Sequence, residues 1–229
     1  MPADNLIEAI VDFTEREAYT DILIWPGEHT RIKTPLGWVP VGELTDGGRP
    51  AAIDQQMLVK LIGTLCGEDD WLEQMRKTKR SRSFMMPLDR KGARLRFKVA
   101  QCTSRDDVAG KADAFTVNIR KLPAAVPTLQ VTGLPQTVGQ MLTRAGGLVL
   151  VTGTVCSGKT TTLASLVDFL NHQRRANIIT LERLTEYVFK SDKSVIIQRT
   201  VPENVSTFLE GIEDALDGQA VDVLSLIHI

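Results

Sequence analysis

The sequence predicts an α/β protein in two parts, with a mostly parallel sheet in the second part. Three observations lead to this prediction. Short strand patterns dominate the chain before residue 121. A stretch that contains three prolines and a glycine follows, up to Pro135. After it, helix and strand patterns alternate, which is typical of parallel strands joined by helices.

The loop from Gly153 to Thr160 matches the pattern G-x-x-x-x-G-K-[ST]. It lies between an apolar run, Leu148–Val151, which we predict to be a buried strand, and a predicted helix from Lys159. The glycines free the backbone to turn its N–H groups toward phosphate oxygens, and the helix N-terminus adds its positive end. Lys159 can reach the β- and γ-phosphates, and the Thr160 hydroxyl can ligate Mg²⁺. This context favours a nucleoside triphosphate site over a chance glycine-rich turn.

The composition is that of an ordinary globular protein. The 27 Lys and Arg residues nearly balance the 28 Asp and Glu residues, so the overall charge gives no support to a nucleic-acid or membrane partner. No apolar stretch approaches the length of a membrane-spanning helix. The cysteines at 66, 102 and 156 lack metal-ligand spacing and fit a reducing compartment. We therefore expect a cytoplasmic protein.

The sequence of the first part predicts helices and short strands. Asp54 is the expected N-cap of one helix, which Gly67 ends. The other expected helices span 5–18 and 69–77, and the expected strands span 21–25, 30–34, 38–41, 83–88, 94–102 and 114–120.

In the second part, residues 123–135 are expected to form a semi-extended linker, because each proline disfavours helix at the residue before it. The domains are then 1–122, 123–135 (linker) and 136–229. The expected helices of the last domain span 136–145, 159–172 and 206–216, and its further strands span 177–181, 195–198 and 221–224.

Several motifs resemble the PilT/GspE superfamily of secretion and pilus-motor ATPases. They are Gly147–Gly153 with the loop that follows, Thr161–Ala164, Ile178–Glu182, Glu186–Val188, Ile197–Gln198, Tyr19–Ile22, Arg94–Val99 and Asn118–Pro123. Val201–Pro202 and Phe208–Ile212 look closest to the DotB/TraJ branch, which serves type IVB secretion and plasmid conjugation.

The resemblance implies a PAS-like α+β N-terminal domain followed by a RecA-like P-loop (Walker A) domain, assembled as a hexameric ring that binds ATP and Mg²⁺. The implied partners are further copies of the chain and secretion or pilus platform proteins at the inner membrane, to which the motor would attach peripherally. No direct contact with nucleic acid is expected. The implied nucleotide-binding residues are Gly153, Thr154, Val155, Cys156, Ser157, Gly158, Lys159, Thr160 and Thr161.

The resemblance also implies catalytic residues. Glu182 and Glu186 match the two glutamates of the family's first acidic motif, and Glu182 joins Thr160 as an implied Mg²⁺ ligand. Arg94, Arg96 and Arg120 match arginines that reach the phosphates; the alternative for each is a solvated arginine on a strand face.

The chain departs from the family at several positions. Arg183 and Leu184 stand where the family has Asp-Pro, and Cys156 replaces a glycine of the loop. The glutamate that activates water in the family has no counterpart before Ile229, so we expect a C-terminally truncated RecA-like domain that binds ATP with little or no hydrolysis. Two other readings stay open: an inactive regulatory nucleotide-binding subunit, and a RecA-like ATPase linked to nucleic acid.

Overall fold

The computed structural model of the protein divides the chain into two compact units, Met1–Leu122 and Pro123–Ile229. It describes residues 21–40, 53–66, 71–78, 81–87, 94–103, 113–143, 146–154, 157–218 and 220–227. The helix expected at 5–18 lies outside these ranges.

The first unit is built on a six-stranded antiparallel sheet with the strand order β3-β2-β1-β6-β5-β4. Its strands are β1 (Asp21–Ile24), β2 (Arg31–Thr34), β3 (Gly37–Pro40), β4 (Arg82–Pro87), β5 (Arg94–Thr103) and β6 (Asp113–Leu122). Its helices are α1 (Gln55–Cys66) and α2 (Trp71–Thr78). The side chain of Asp54 accepts a 2.7 Å hydrogen bond from the backbone N–H of Met57, which confirms the predicted N-cap.

Strand β5 shows why this sheet has one apolar and one charged face. Leu95, Phe97 and Val99 are fully buried in the core that α1 and α2 share with the sheet. The residues between them, Arg94, Arg96 and Lys98, alternate to the opposite face, because successive side chains of a strand point to opposite sides. The period-two pattern of the sequence therefore places the candidate arginines on the face that the core leaves open.

The second unit contains a three-stranded parallel sheet with the order β8-β7-β9. Its elements are α3 (Gln136–Leu142), α4 (Lys159–Gln173), β7 (Asn177–Glu182), β8 (Val195–Thr200), α5 (Phe208–Gly218) and β9 (Val223–Ile227).

Strand β7 is the centre of this unit, and it is buried on both faces. Ile178 packs in a cluster with Ala164, Val167 and Leu170 of α4. Ile179 and Leu181 pack on the other face in a cluster that contains Ala215 of α5. A strand covered on both faces needs apolar residues on both, and Ile178, Ile179 and Leu181 supply them.

The run Leu148–Val151 differs from its prediction as a buried strand. The structure gives it no strand pairing, and Leu148 and Leu150 are 83% and 75% exposed. Hydrophobicity alone does not make a strand, because the backbone groups must also meet those of a neighbouring strand. Among the described residues, no strand pairs with this run.

The expected linker, 123–135, is more ordered than a semi-extended chain. Backbone hydrogen bonds of 3.2 and 3.1 Å close a turn at Thr128–Thr132 and Leu129–Leu134. Leu129 is 5% exposed, and Val126 packs against the apolar cluster on the α4 face of β7. The structure therefore groups this whole stretch with the second unit.

Replacing Gly211 of α5 with alanine should destabilise the second unit by about 1–3 kcal/mol, because a Cβ atom overfills the contact. That atom would lie 2.9 Å from Cδ1 of Leu181, a side chain that is fully buried and has no room to withdraw. Urea unfolding should show this loss although alanine favours helix. Gly218→Ala at the open end of the same helix is the control and should change the free energy of unfolding little. A Gly211→Ala variant as stable as the wild type would contradict the tight contact.

Candidate functional site

Two glycines shape the loop before α4. Gly153 has φ +155° and Gly158 has φ +89°, both in the range that favours glycine. A Cβ atom on Gly153 would lie 2.6 Å from Oγ of Ser157, so the loop closes on itself where a side chain would block it. Gly158 is the N-cap residue of α4 in a left-handed conformation. The backbone therefore curls directly into the helix N-terminus, as a phosphate-binding loop requires.

Lys159 lies at the first position of α4 and folds back over the loop. Its Nζ donates a 2.7 Å hydrogen bond to the backbone carbonyl of Thr154, and the N–H of Ser157 bonds to the same carbonyl at 3.3 Å. This places the ammonium group at the mouth of the curl. Val155 and Cys156 lie outside the described residues.

Thr160 and Thr161 follow Lys159 in the first turn of α4, and both carry hydroxyl groups. Thr160 is half-buried in the first turn. Thr161 is half-buried too, and its hydroxyl lies 3.1 Å from the phenol oxygen of Tyr187. The backbone carbonyl of Thr161 accepts a 2.8 Å hydrogen bond from Ser165 one turn later. The first turn is therefore fixed on the side that faces the loop after β7.

Glu182 is the last residue of β7, and it is only 2% exposed. Its Oε1 atom accepts hydrogen bonds from the hydroxyl of Thr180 at 2.7 Å and from Nε2 of Gln198 at 3.0 Å. These donors replace hydration that a buried carboxylate has lost. Sequence reasoning predicted the position of Glu182 at a strand end, and the structure adds its burial and both donors.

Gln198 connects Glu182 to the loop that follows β7. Its Nε2 also donates to the backbone carbonyl of Tyr187 at 2.9 Å, and its Oε1 accepts from the backbone N–H of Phe189 at 3.0 Å. Tyr187 in turn touches Thr161. Tyr187 therefore links the first turn of α4, through its hydroxyl, to the hydrogen bonds of the buried carboxylate, through its backbone carbonyl.

Glu186, the second predicted glutamate, follows Glu182 in the connection between β7 and β8 and is half-buried. Arg183 is exposed and Leu184 half-buried in the same stretch. The cation that replaces the family's aspartate thus lies directly beside the buried carboxylate in the chain.

The three predicted arginines lie in the first unit, and Arg96 and Arg120 are direct partners across β5 and β6. The structure binds Arg120 side-on to Asp21: Nε lies 2.9 Å from Oδ1, and the terminal nitrogen NH2 lies 3.1 Å from Oδ2. The Asp21 side chain is 5% exposed and that of Arg120 35%. Such a bidentate pair fixes the plane of the guanidinium group.

Sequence reasoning gave no role to Asp21, Tyr187 or Gln198. Only Gln198 carries a local signal, since an amide in the otherwise apolar start of β8 (Val-Ile-Ile-Gln) needs a polar partner. The partners of the other two residues lie far along the chain, so only the fold identifies them.

Within the described residues, no group of three or more His, Cys, Asp or Glu side chains could hold a metal ion. Such a group is not needed for Mg²⁺ bound together with phosphates, because that ion takes only one or two protein ligands and keeps several waters. No helix among the described residues is long and apolar enough to cross a membrane.

Comparison with known proteins finds similarity to one family over about half of the chain. Residues 111–217 match the family described as "Type II/IV secretion system protein". The type IV pilus retraction ATPase PilT of Pseudomonas aeruginosa is 37% identical over 112 residues, which are 46% of this chain and 33% of PilT. Over this region the chain is similar to proteins of the PilT/GspE superfamily. The aligned part spans about a third of the length of that curated relative.

Solved structures of the PilT/GspE superfamily share the fold. A crystal structure of the pilus retraction motor PilT with bound ADP matches with a TM-score of 0.79 and 26% identity, over 96% of this chain and 59% of PilT. The ATPase DotB of Legionella pneumophila matches with a TM-score of 0.75 and 18% identity, over 97% of this chain and 65% of DotB. DotB thus shares this fold, and PilT has the higher identity of the two. The likeness to PAS domains stays a prediction.

Replacing Asp21 with asparagine should lower the free energy of unfolding by about 1–3 kcal/mol. The change leaves the guanidinium of Arg120 beside a neutral amide, and the cost is below that of a fully buried pair because Arg120 is partly exposed. Urea unfolding measures the difference.

Glu73→Gln is the matched control for Asp21→Asn, because Glu73 pairs with Lys77 at 2.6 Å with both side chains about 70% exposed. Its loss should cost less than about 0.5 kcal/mol. Equal costs for the two substitutions would show that the Asp21–Arg120 pair contributes no more than a surface pair.

Proposed function

We propose that this chain is the ATP-binding subunit of a motor ATPase that powers type IV secretion, conjugative transfer or pilus retraction. The observation that carries the proposal is the geometry of the loop, in which Gly158 caps α4 in a left-handed conformation and Lys159 folds over the curl. Two comparisons support it: the match of residues 111–217 to the secretion family, and the likeness to PilT with bound ADP.

The residues of the loop fit a triphosphate. Gly153 has φ +155°, a conformation that favours glycine and lets the loop turn its backbone N–H groups toward an anion. The positive end of α4 and the ammonium group of Lys159 add charge at the same place. Lys159 would exchange the carbonyl of Thr154 for a phosphate oxygen, which is the stronger acceptor for a cation.

Thr160 and Glu182 are the proposed protein ligands for Mg²⁺, which supplies charge neutralisation at the β- and γ-phosphates when it is bound. Thr160 lies next to Lys159 in the first turn of α4, and Glu182 ends the adjacent buried strand. Glu186, Arg94, Arg96 and Arg120 stay candidates for the reaction itself. Arg120 would either reach the phosphate while its guanidinium stays paired with Asp21, or leave that pair to do so.

We further propose weak hydrolysis by these 229 residues. Arg183 places a positive charge beside Glu182, where the family has a carboxylate, and this exchange changes the local charge by about two units. Such a change weakens the attraction for Mg²⁺. A regulatory subunit that binds ATP without turnover is the alternative that this observation favours.

The proposed partners are further copies of this chain in a hexameric ring and platform proteins of a secretion or pilus machine at the inner membrane. The proposed location is the cytoplasm. The match to the secretion family supports a motor of this general class. Identifying the partner proteins would show which secretion or pilus machine the motor serves.

Lys159→Ala should weaken the binding of a fluorescent ATP analogue by about tenfold to a hundredfold, because it removes a charge-assisted bond to phosphate. Fluorescence titration of the full chain measures the dissociation constants. Lys190→Ala, at an exposed lysine of the same unit, should leave the affinity within about twofold. Equal affinities for the Lys159→Ala variant and the wild type would overturn the assignment of the loop.

Phosphate release by the same chain tests the reaction. We expect slow, Mg²⁺-dependent turnover that Glu182→Gln abolishes, because the carboxylate would orient the metal or the attacking water. Absence of turnover in the wild type, with binding retained, would identify the regulatory subunit. Stimulation by DNA would favour the nucleic-acid-linked ATPase, and rapid turnover would contradict the role given to Arg183.

A further inference from the structure

The side chain of Gln198 makes three hydrogen bonds at the end of the central strand. Its Nε2 donates to Oε1 of Glu182 at 3.0 Å and to the backbone carbonyl of Tyr187 at 2.9 Å, and its Oε1 accepts from the N–H of Phe189 at 3.0 Å. Gln198 is the direct partner of Thr180 across β8 and β7. It therefore lies on the same face of the sheet as Thr180, the other donor to Glu182.

An amide is the side-chain group that these three partners require. The carboxylate and the carbonyl both accept, whereas the N–H donates, and only an amide offers two donors and an acceptor on one plane. A flipped amide would bring its oxygen against the oxygen of Glu182, so the network also fixes which end faces the carboxylate. Thr180 and Gln198 both bond to Oε1 and so set the direction in which the carboxylate lies.

Tyr187 connects these hydrogen bonds to helix α4. Its ring is buried in the cluster with Ala164, Val167 and Leu170 of α4, and its phenol oxygen lies 3.1 Å from the hydroxyl of Thr161. Thr161 lies two residues after Lys159. Tyr187 therefore bonds to Gln198 through its backbone carbonyl and contacts the first turn of α4 through its hydroxyl, and its buried ring fixes both positions.

We propose that Gln198 is the positioning residue that sets the Glu182 carboxylate for Mg²⁺ and ties it, through Tyr187, to the first turn of the phosphate-loop helix. This inference rests on the proposed function, since it concerns the same nucleotide site. In this proposal Gln198 contacts protein groups and not the phosphates or the metal ion. It acts through Glu182, and its loss therefore changes the metal-dependent part of nucleotide binding.

The test is a set of titrations with a fluorescent ATP analogue, in excess Mg²⁺ and in excess EDTA. The wild type should bind more tightly with Mg²⁺. Gln198→Met has a similar length but no donor and should lose about tenfold of this Mg²⁺-dependent gain, the scale of one hydrogen bond to a charged group, while its affinity in EDTA stays within about twofold. Gln173→Met, at an exposed glutamine at the end of α4, is the matched control.

A double-mutant cycle tests whether Gln198 acts through the carboxylate. In the Glu182→Gln background, Gln198→Met should change the Mg²⁺-dependent gain by less than about twofold, because the group that it positions is already altered. An additive loss would overturn the proposal. Gln198→Leu also removes both donors without adding a charge, and it carries the test if the methionine variant fails to fold.

The outcomes separate this inference from the proposed function. A wild type that binds no nucleotide would overturn both. If the Gln198→Met variant keeps the Mg²⁺-dependent gain in affinity that the wild type shows, the positioning role alone is overturned. An equal loss in Mg²⁺ and in EDTA would also overturn it, because it would show that Gln198 only supports the fold of the loop. Selective loss of the Mg²⁺-dependent gain, absent in the Glu182→Gln background, establishes the role.

Discussion

The burial of the Glu182 carboxylate is the constraint on which the second unit depends. A carboxylate removed from water must find hydrogen-bond donors, and here the donors come from its own strand and from β8. Gln198 can donate only if the strands keep their register, since it is the cross-strand partner of Thr180. The loop after β7 must also fold back to present the carbonyl of Tyr187. One buried charge thus constrains strand register, loop path and the first turn of α4.

The sequence predicted most elements because most of them follow from local patterns. The strand at 94–102 and the N-cap Asp54 were visible within a few residues, and both are confirmed. The run Leu148–Val151 was wrong as a strand, because pairing depends on neighbours that no local pattern shows. The turn and buried Leu129 within the expected linker were missed for a similar reason, since proline spacing does not reveal tertiary packing.

The candidate site divides in the same way. Its loop was predictable, because glycine, lysine and threonine at fixed spacing carry the chemistry themselves. The contacts of Tyr187 with Thr161 and of Arg120 with Asp21 were not, because their partners are 26 and 99 residues apart. For Arg120 the structure adds a partner that the sequence did not reveal. A guanidinium already held by a buried carboxylate has a fixed orientation, so any contact with phosphate would start from that orientation.

The contact between Gly211 and Leu181 has a mechanical consequence. Helix α5 approaches β7 so closely that no slack remains between its backbone and the side chain of Leu181. Close-packed interiors transmit displacement rather than absorb it. Because Glu182 is the next residue of the strand, a push on α5 would reach the carboxylate within one peptide unit. We therefore expect the helix and the acidic residue to be mechanically coupled, so that force applied to α5 would reach the proposed nucleotide site.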